Sequence, residues 1–476
     1  MISTILIFPI IASVLMFIFK NKHFATFLVN LYAFLHILTS VLFAAGVTAG
    51  AKTHYFSVDG TNIIFLFVLS FVYLMVAIYN TSYVKTFEVE DKRIIKYSFM
   101  ILMFVLSMTG TILSTNLGLA WVLIEATTLS SAYLIYFNKT KHSIEAAWKY
   151  VFICSIGISL AYVGIIFLSI STGSINTLNF VELYKYAGQF DPVWLKLAFV
   201  FMLFGFGAKM GLAPVHFWLP DAHSEAPSPI SALLSATLLN SAFFVIVKVY
   251  RLMTLAECAE YARIMLFVMG FMSLFVTAVF VYRIKNYKRM LAYSSIENMG
   301  ILAIGLALGG GAYYAVILHL IGHSFAKASF FLTSGNVLEL FGTKRIKSIN
   351  GLIRADNKTG WLWIASFLGI CAFPTSVLFL SEFLMIKEML IRGHYLLCVL
   401  FVLLLTIILY GIGQVVIKMS YGKLSDDKAK LVLENKKKIT VLMYIPQVIM
   451  LITVFVLGIY IPPFLNNIIT TAISGF

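Results

Sequence analysis

Charge is scarce in this chain. Only 12% of its 476 residues are Asp, Glu, Lys or Arg, about half the share found in soluble globular proteins. That excludes a water-soluble enzyme, and no polar stretch is long enough to fold as a domain by itself. Cysteine is scarce as well. Cys154, Cys258, Cys371 and Cys398 stand singly, with no spacing that suits a zinc site, an iron–sulfur cluster or a haem. Neither a Walker loop nor a dinucleotide fingerprint occurs. The expectation is a chain with no cofactor or metal of its own that hydrolyses no nucleotide. What is abundant is apolar surface: 61% of residues are hydrophobic and the mean hydropathy is +0.95. The apolar runs are continuous rather than alternating, which argues against a β-barrel. The fold class is therefore an all-α polytopic membrane protein. The first run, Ile2–Phe19, has no basic segment ahead of it and reads as a spanning helix rather than a cleavable leader.

Counting about 17–20 residues for each crossing gives about fourteen spans, near 2–19, 25–47, 61–80, 97–114, 117–137, 149–171, 193–218, 229–251, 261–282, 289–308, 312–340, 361–390, 395–417 and 440–467. The basic residues sort by loop parity. Odd-numbered loops carry Lys20 and Lys22, then Lys85, Lys92, Arg93 and Lys96, then Lys139 and Lys141. Further odd loops carry Arg283, Lys285, Lys288 and Arg289; Lys344, Arg345, Lys347, Arg354 and Lys358; and Lys423, Lys428, Lys430, Lys436, Lys437 and Lys438. Even-numbered loops carry only Lys52, Lys185, Arg263 and Arg392. This asymmetry places the odd loops in the cytoplasm and both termini outside a cytoplasmic membrane. It also accounts for the formal charge of +15 without nucleic acid as a partner.

Two spans are interrupted. Span seven contains Lys209 and Pro214, and span twelve contains Pro374 and Glu382. They lie five spans apart, and an odd offset forces opposite orientation. Spans 4–8 and 9–13 therefore read as inverted repeats, a plan in which ion sites sit at discontinuous helices. The corresponding division is 1–96, 97–251, 252–420 and 421–476.

A charge in a span costs several kcal/mol even on lenient insertion scales, about 2.5–3.5 at the centre, so each buried polar residue needs a reason. Glu125 lies about a third of the way through span five, and Lys209 is its obvious cationic neighbour. The pair is either a switch or a static lock between helices. His319, His323 and Lys327 recur every four residues and share one helix face. With Ser324 and Thr333 they suit a water wire, but they also suit simple core histidines; a metal site lacks a third ligand. Glu382 follows the break at Pro374 and has no basic neighbour in sequence, as befits a carboxyl that loads and releases a proton. Lys387 and Glu388 follow it toward the outer interface. Lys248 and Arg251 end span eight, where they either join the pathway or snorkel outward. Asn240 is better centred but cannot titrate. Asp221, His223 and Glu225 form either an inlet funnel or a solvated turn. Lys149 either tunes the Glu125–Lys209 pair or anchors its helix.

The run Lys209–Met210–Gly211–Leu212–Ala213–Pro214–Val215–His216–Phe217–Trp218–Leu219–Pro220–Asp221–Ala222–His223, followed by Pro227–Ser228–Pro229–Ile230–Ser231–Ala232, resembles the signature of the antiporter-like membrane subunits of complex I, Mrp antiporters and energy-converting hydrogenases. The resemblance covers roughly residues 60–420 and is specific. Trp121–Glu125–Ala126–Thr127–Thr128, Ile144–Tyr150 and His323–Lys327 are most similar to the hydrogenase-type subunits, while Ser381–Glu382–Phe383 resembles an acidic distal gate. The resemblance implies a proton-translocating subunit, non-catalytic by itself, of a redox-driven complex of group-four nickel–iron hydrogenase type. A complex I subunit, an Mrp-type sodium/proton antiporter or a proton-flux subunit of a bicarbonate-concentrating system are the alternatives. It implies neighbouring membrane subunits and a peripheral redox arm as partners. It also implies Glu125 and Lys209 as the switching pair, His319, His323 and Lys327 as a lateral relay, and Glu382 as the exchange site. His216 falls inside the signature as an accessory residue. One departure is plain: Asn240 stands where many relatives carry a lysine, and Lys248, two turns on, is the candidate substitute.

Overall fold

The computed structural model describes residues 1–47, 53–87, 89–175, 177–424 and 426–473; Lys52 lies outside them. Among these residues the regular structure is helical, and extended backbone pairs only as isolated bridges such as Asn286 with Arg345. In chain order the helices are α1 (Ile2–Phe19), α2 (Lys22–Ala44), α3 (Gly60–Tyr83), α4 (Asp91–Leu113), α5 (Leu117–Ile135), α6 (Lys141–Ser171), α7 (Phe180–Lys185), α8 (Pro192–Met210), α9 (Trp218–Glu225), α10 (Ser228–Leu233) and α11 (Leu239–Leu255). They continue as α12 (Ala259–Phe280), α13 (Tyr287–Leu308), α14 (Ala312–Phe341), α15 (Leu352–Ala355), α16 (Asn357–Ile370), α17 (Val377–Ile391), α18 (Tyr395–Ser420), α19 (Asp426–Lys436), α20 (Ile445–Ile459) and α21 (Pro463–Ile473). One π-helical turn, Leu234–Leu238, fuses α10 and α11 into a single crossing. Thirteen of these stretches are long and apolar enough to span a membrane; α16 and α17, on either side of the break at residues 371–376, are each shorter than that.

Polar side chains set the helix starts. Asn21, Asp59, Asn116, Thr140, Asp191, Asn286, Asp356 and Ser376 each accept a backbone N–H of the first turn, which satisfies donors that the helix itself cannot. These caps move several sequence-derived limits. The sixth span begins at Lys141, not near 149, so Lys149 lies two turns inside α6. Lys92, Arg93 and Lys96 belong to the first turns of α4 rather than to a loop. The seventh span ends at Met210, and residues 218–225 form the separate helix α9 instead of an open turn. Pro220 falls in the first turn of α9, where its missing N–H is no loss.

Burial separates centre from rim. The best windows of Ser228–Leu255 and Ala312–Phe341 are entirely buried, whereas only 39% of the windows in Lys141–Ser171 and Tyr395–Ser420 is buried. Helices α10–α11 and α14 therefore form the axis of the bundle, and the helices around them offer one apolar face outward. The packing partners repeat: α4 on α5, α5 on α6 and α6 on α8, then α12 on α13, α13 on α14 and α14 on α16 and α17. Small residues allow the closest crossings. A Cβ on Gly205 of α8 would come within 2.6 Å of the Gly157 carbonyl oxygen of α6. One on Gly300 of α13 would come within 2.8 Å of the Gly270 carbonyl oxygen of α12. Close backbone approach of this kind is what binds helices in lipid, where apolar side chains gain little by meeting.

Candidate functional site

The first polar group forms where α5, α6 and α8 meet. Lys209, in the last turn of α8, is fully buried. Its Nζ donates to Thr128 Oγ1 at 2.8 Å and to the Tyr150 hydroxyl at 2.7 Å, and it lies 4.6 Å from the centre of the Tyr150 ring. Thr128 in turn donates to Glu125 Oε2 at 3.1 Å, and Ser155 donates to Oε1 at 3.0 Å. Sequence reasoning expected Glu125 and Lys209 to approach within ion-pair or water-bridged distance. The structure links them through the Thr128 hydroxyl, with no direct ion pair between them. The reason is reach: Glu125 is only half-buried on the rim of α5, while Lys209 points into the interior.

The break follows at once. Gly211 ends α8 in the left-handed region at φ 83°, and the Ala213 N–H is caught by Ser273 Oγ of α12 at 2.9 Å. His216 is buried in the break against Phe217, with ring centres 4.6 Å apart. Trp218 opens α9 and donates Nε1–H back to the Ala208 carbonyl at 2.7 Å. Asp221 of α9 bridges two neighbours: Lys149 of α6 at 3.2 Å and Arg289 of α13 at 2.9 Å. Lys149 also pairs with Glu145 at 2.6 Å. Thus Lys149 engages Asp221, not the Glu125–Lys209 group. Glu225 pairs with Lys344 at 3.1 Å. His223 is fully buried, stacks on Phe331 at 4.9 Å and makes no ring hydrogen bond. A solvated turn therefore does not describe this segment. Asp221, Lys149, Arg289, His142 and Arg283 line a cavity of 630 Å³ on the face that carries the basic loops.

The middle of the axis is hydroxyl- and amide-rich. Asn240 Nδ2 donates to Ser324 Oγ of α14 at 2.7 Å and to the Ala236 carbonyl at 2.8 Å. One turn before it, the π-helical turn brings Ser235 to within 2.8 Å of Ser295 of α13; such turns inside α-helices frequently mark functional sites. Lys248 does not take the central position. Its Nζ is bound to Asp59 Oδ2 at 2.7 Å, at the end of α3, beside the Arg251–Tyr184 contact of 4.8 Å. Nor does Lys248 snorkel, since its side chain is 8% exposed.

The far group joins α13, α14 and α17. Lys327 Nζ donates to the Leu291 carbonyl of α13 at 2.8 Å. His323 is fully buried, has no well-formed ring hydrogen bond and is approached by the Ser235 backbone. His319 is fixed at both ring nitrogens, to Ser381 Oγ at 2.9 Å and Asn298 Oδ1 at 3.1 Å. Glu382 stands beside Ser381 in α17. Lys387 is exposed one turn further and stays outside this group, while Glu388 pairs with Arg392 at 2.7 Å.

Three charged residues were missed. Glu297 of α13 lies near enough to Lys327 and Glu382 for the charges to interact. Its signal was legible: it is a carboxylate within an apolar span. Lys288, read as a loop residue, is fully buried in the first turn of α13 and donates to the Ala226 carbonyl at 2.6 Å. Asp59 gave no signal beyond its helix-capping type. His36 of α2 was also missed; it sits between Ser70 at 2.6 Å and Thr109 at 2.8 Å.

A protein-family model described as "NADH:quinone oxidoreductase/Mrp antiporter, TM" matches residues 114–409. The hydrogenase-4 component F homolog of Methylacidiphilum infernorum is 30% identical over 97% of this chain and 96% of its own length. Escherichia coli hydrogenase-4 component B is 30% identical over 68% of this chain, which spans about half (49%) of that longer relative. A chain in the structure of the archaeal membrane-bound sulfane sulfur reductase has a TM-score of 0.89 at 23% identity, covering 100% of this chain and 97% of its own.

Proposed function

We propose a function from one premise: the chain belongs to the NADH:quinone oxidoreductase/Mrp antiporter family of membrane subunits. It is an antiporter-like subunit of a multisubunit, redox-driven membrane complex, with the hydrogenase type favoured over the complex I and Mrp types by the end-to-end match to hydrogenase-4 component F. In our reading it moves protons, carries no cofactor of its own and is driven by a peripheral redox arm. The basic loops face the cytoplasm and both termini lie outside, in a cytoplasmic membrane. Residues 97–251 and 252–420 are the two inverted halves.

The observation that carries the reading is the hydroxyl-bridged Glu125–Thr128–Lys209 group. A buried ammonium is tolerated because Thr128, Tyr150 and, through Thr128, the Glu125 carboxylate stabilise it. Movement of α5 against α8 by even one hydrogen-bond length breaks that bridge. The proton on Lys209 is then held less tightly and passes inward, toward the serine-lined π-turn, Asn240 and His323. Lys327 receives it, and Glu382 exchanges it with the opposite side. Protons suit this route because each titrating group binds one by a single N–H or O–H bond, whereas sodium needs several clustered oxygens.

The test is Lys209→Met in the native complex, reconstituted in vesicles with redox turnover and internal pH followed together. Proton flux per electron should fall about 100-fold, the scale of losing a proton-transfer group, with the complex assembled. Wild-type flux in the variant would make Lys209 structural. Flux that needs no electron donor but follows a sodium gradient would instead assign the chain to an antiporter.

A further inference from the structure

The two halves share a register at their breaks. Gly211 caps α8 and Pro214 follows three residues later; Cys371 caps α16 and Pro374 follows three residues later. In this register Lys209 aligns with Gly369. The second broken helix therefore supplies no cation at the place where the first one does. Glu125 is in span five, and the carboxylate in span ten is Glu297, the ninth residue of α5 and the eleventh of α13. The second half thus has the carboxylate but lacks the lysine on its broken helix.

The lysine comes from α14 instead. Lys327 is fully buried, is anchored to α13 by the Leu291 carbonyl, and lies near enough to the Glu297 carboxyl for the two to interact electrostatically. Glu297 in turn interacts with Glu382 across the break. His319 ties the adjacent residues Asn298 and Ser381 together, so the two helices that carry Glu297 and Glu382 are fastened right beside both carboxyls. Glu297 itself receives one hydrogen bond, from Ser294 at 3.2 Å.

We propose that Glu297 is a further proton-carrying residue, the partner of Lys327 in a second carboxylate–lysine switch that hands protons to Glu382. The proposal rests on the proton-translocating reading above. In the first step an Nζ–H bond of Lys327 breaks and an O–H bond forms on Glu297, leaving a neutral amine and a neutral acid. In the second the Glu297 proton passes to the Glu382 carboxylate. No direct ion pair joins Lys327 to Glu297, so a bridging hydroxyl or water carries the first transfer. His319, held at both nitrogens, positions the two helices and is not a carrier.

The experiment compares Glu297→Gln and Glu297→Asp in the intact, reconstituted complex, measuring proton flux per electron against external pH. The Gln variant keeps shape and the Ser294 hydrogen bond but cannot titrate; its flux per electron should drop at least about tenfold. The Asp variant should recover much of the flux with a displaced pH profile. Normal flux in Gln, or loss in Asp with retention in Gln, overturns the proposal and makes Glu297 a packing residue. If the Gln variant fails to assemble, the Asp variant decides: a moved pH profile supports the proposal, and an unchanged profile and stoichiometry overturn it. Absence of redox-driven flux in the wild-type complex would overturn the functional reading itself, a result distinct from either variant outcome.

Discussion

In α8 the charge precedes the break; in α16–α17 it follows. Lys209 sits two residues before the capping Gly211, caged by two hydroxyls. Glu382 is the sixth residue after the second break, and no hydrogen bond reaches its carboxyl among the described residues. The sixth residue after the first break is His223, buried and without a ring partner. The short helix that carries His223 is clamped from both sides, by Lys149 and Arg289 on Asp221 and by Lys344 on Glu225. By contrast, α17 runs on for fifteen residues and ends at an exposed turn. One backbone plan therefore serves two electrostatic tasks. The first break holds a cation in a cage, which in the proposed cycle a small helix movement opens. The second leaves a carboxyl uncaged, as the proposed exchange with the outside would require.

Glu382→Gln attacks the comparison at its sharpest point. If the second break is an exchange site, removing the Glu382 carboxyl stops net transfer. Flux per electron should fall about 100-fold while redox turnover continues, slowed or uncoupled. Dye-reported acidification alongside donor oxidation in the same vesicles measures both. Unchanged flux would move the exchange site along α17, to the exposed Lys387.

Thr128→Val tests the cage. The substitution keeps the branched shape and deletes the hydroxyl that connects Lys209 to Glu125. Leaving a buried ammonium short of one acceptor costs about 1–3 kcal/mol. The expected result is a decrease of about tenfold in flux, smaller than for Glu382, with Thr128→Ser close to wild type. If Val and Ser behave alike, the bridge is incidental and the lysine works through Tyr150 alone.

What the sequence made readable follows from distance along the chain. The broken spans were legible because lysine, glycine and proline crowd into Lys209–Pro214, and Pro374 repeats the interruption. Thirteen of the roughly fourteen expected crossings were legible because apolar length is a local property. Partners were not. Lys248 finds Asp59 at a separation of 189 residues, and Lys209 finds Thr128 at 81. No periodicity encodes such meetings, and hydroxyl bridges are harder still, since a serine or threonine in an apolar helix usually bonds its own carbonyl four residues back, as Thr237 and Ser241 do here. The helix α9 was missed because Pro220 reads as a loop signal until its place in a first turn is known. Glu297 differs: the residue was visible, and only its link to Lys327 needed the fold.

The smallest expected effect concerns the charge that lies outside both breaks. Asp59 caps α3 and binds Lys248 at 2.7 Å. Partial burial pushes its carboxyl upward, but the Lys248 ammonium and the Asn62 and Thr61 N–H groups outweigh this and hold it below the usual carboxylate range. A carboxyl depressed in the folded state adds stability above its unfolded value and loses it as the pH falls through the folded value. Asp59→Asn therefore lowers the thermal midpoint of the purified complex at neutral pH, and the difference from wild type shrinks in acid. The loss is small, because the aspartate is nearly half exposed and water screens the pair. Flux per electron should stay near wild type, since Lys248 lies off the line joining Lys209, Asn240 and Lys327. A large loss of flux with little change in thermal midpoint would overturn that division. It would make Lys248 and Asp59 an outlet for the first half, giving each half its own route to the outer face.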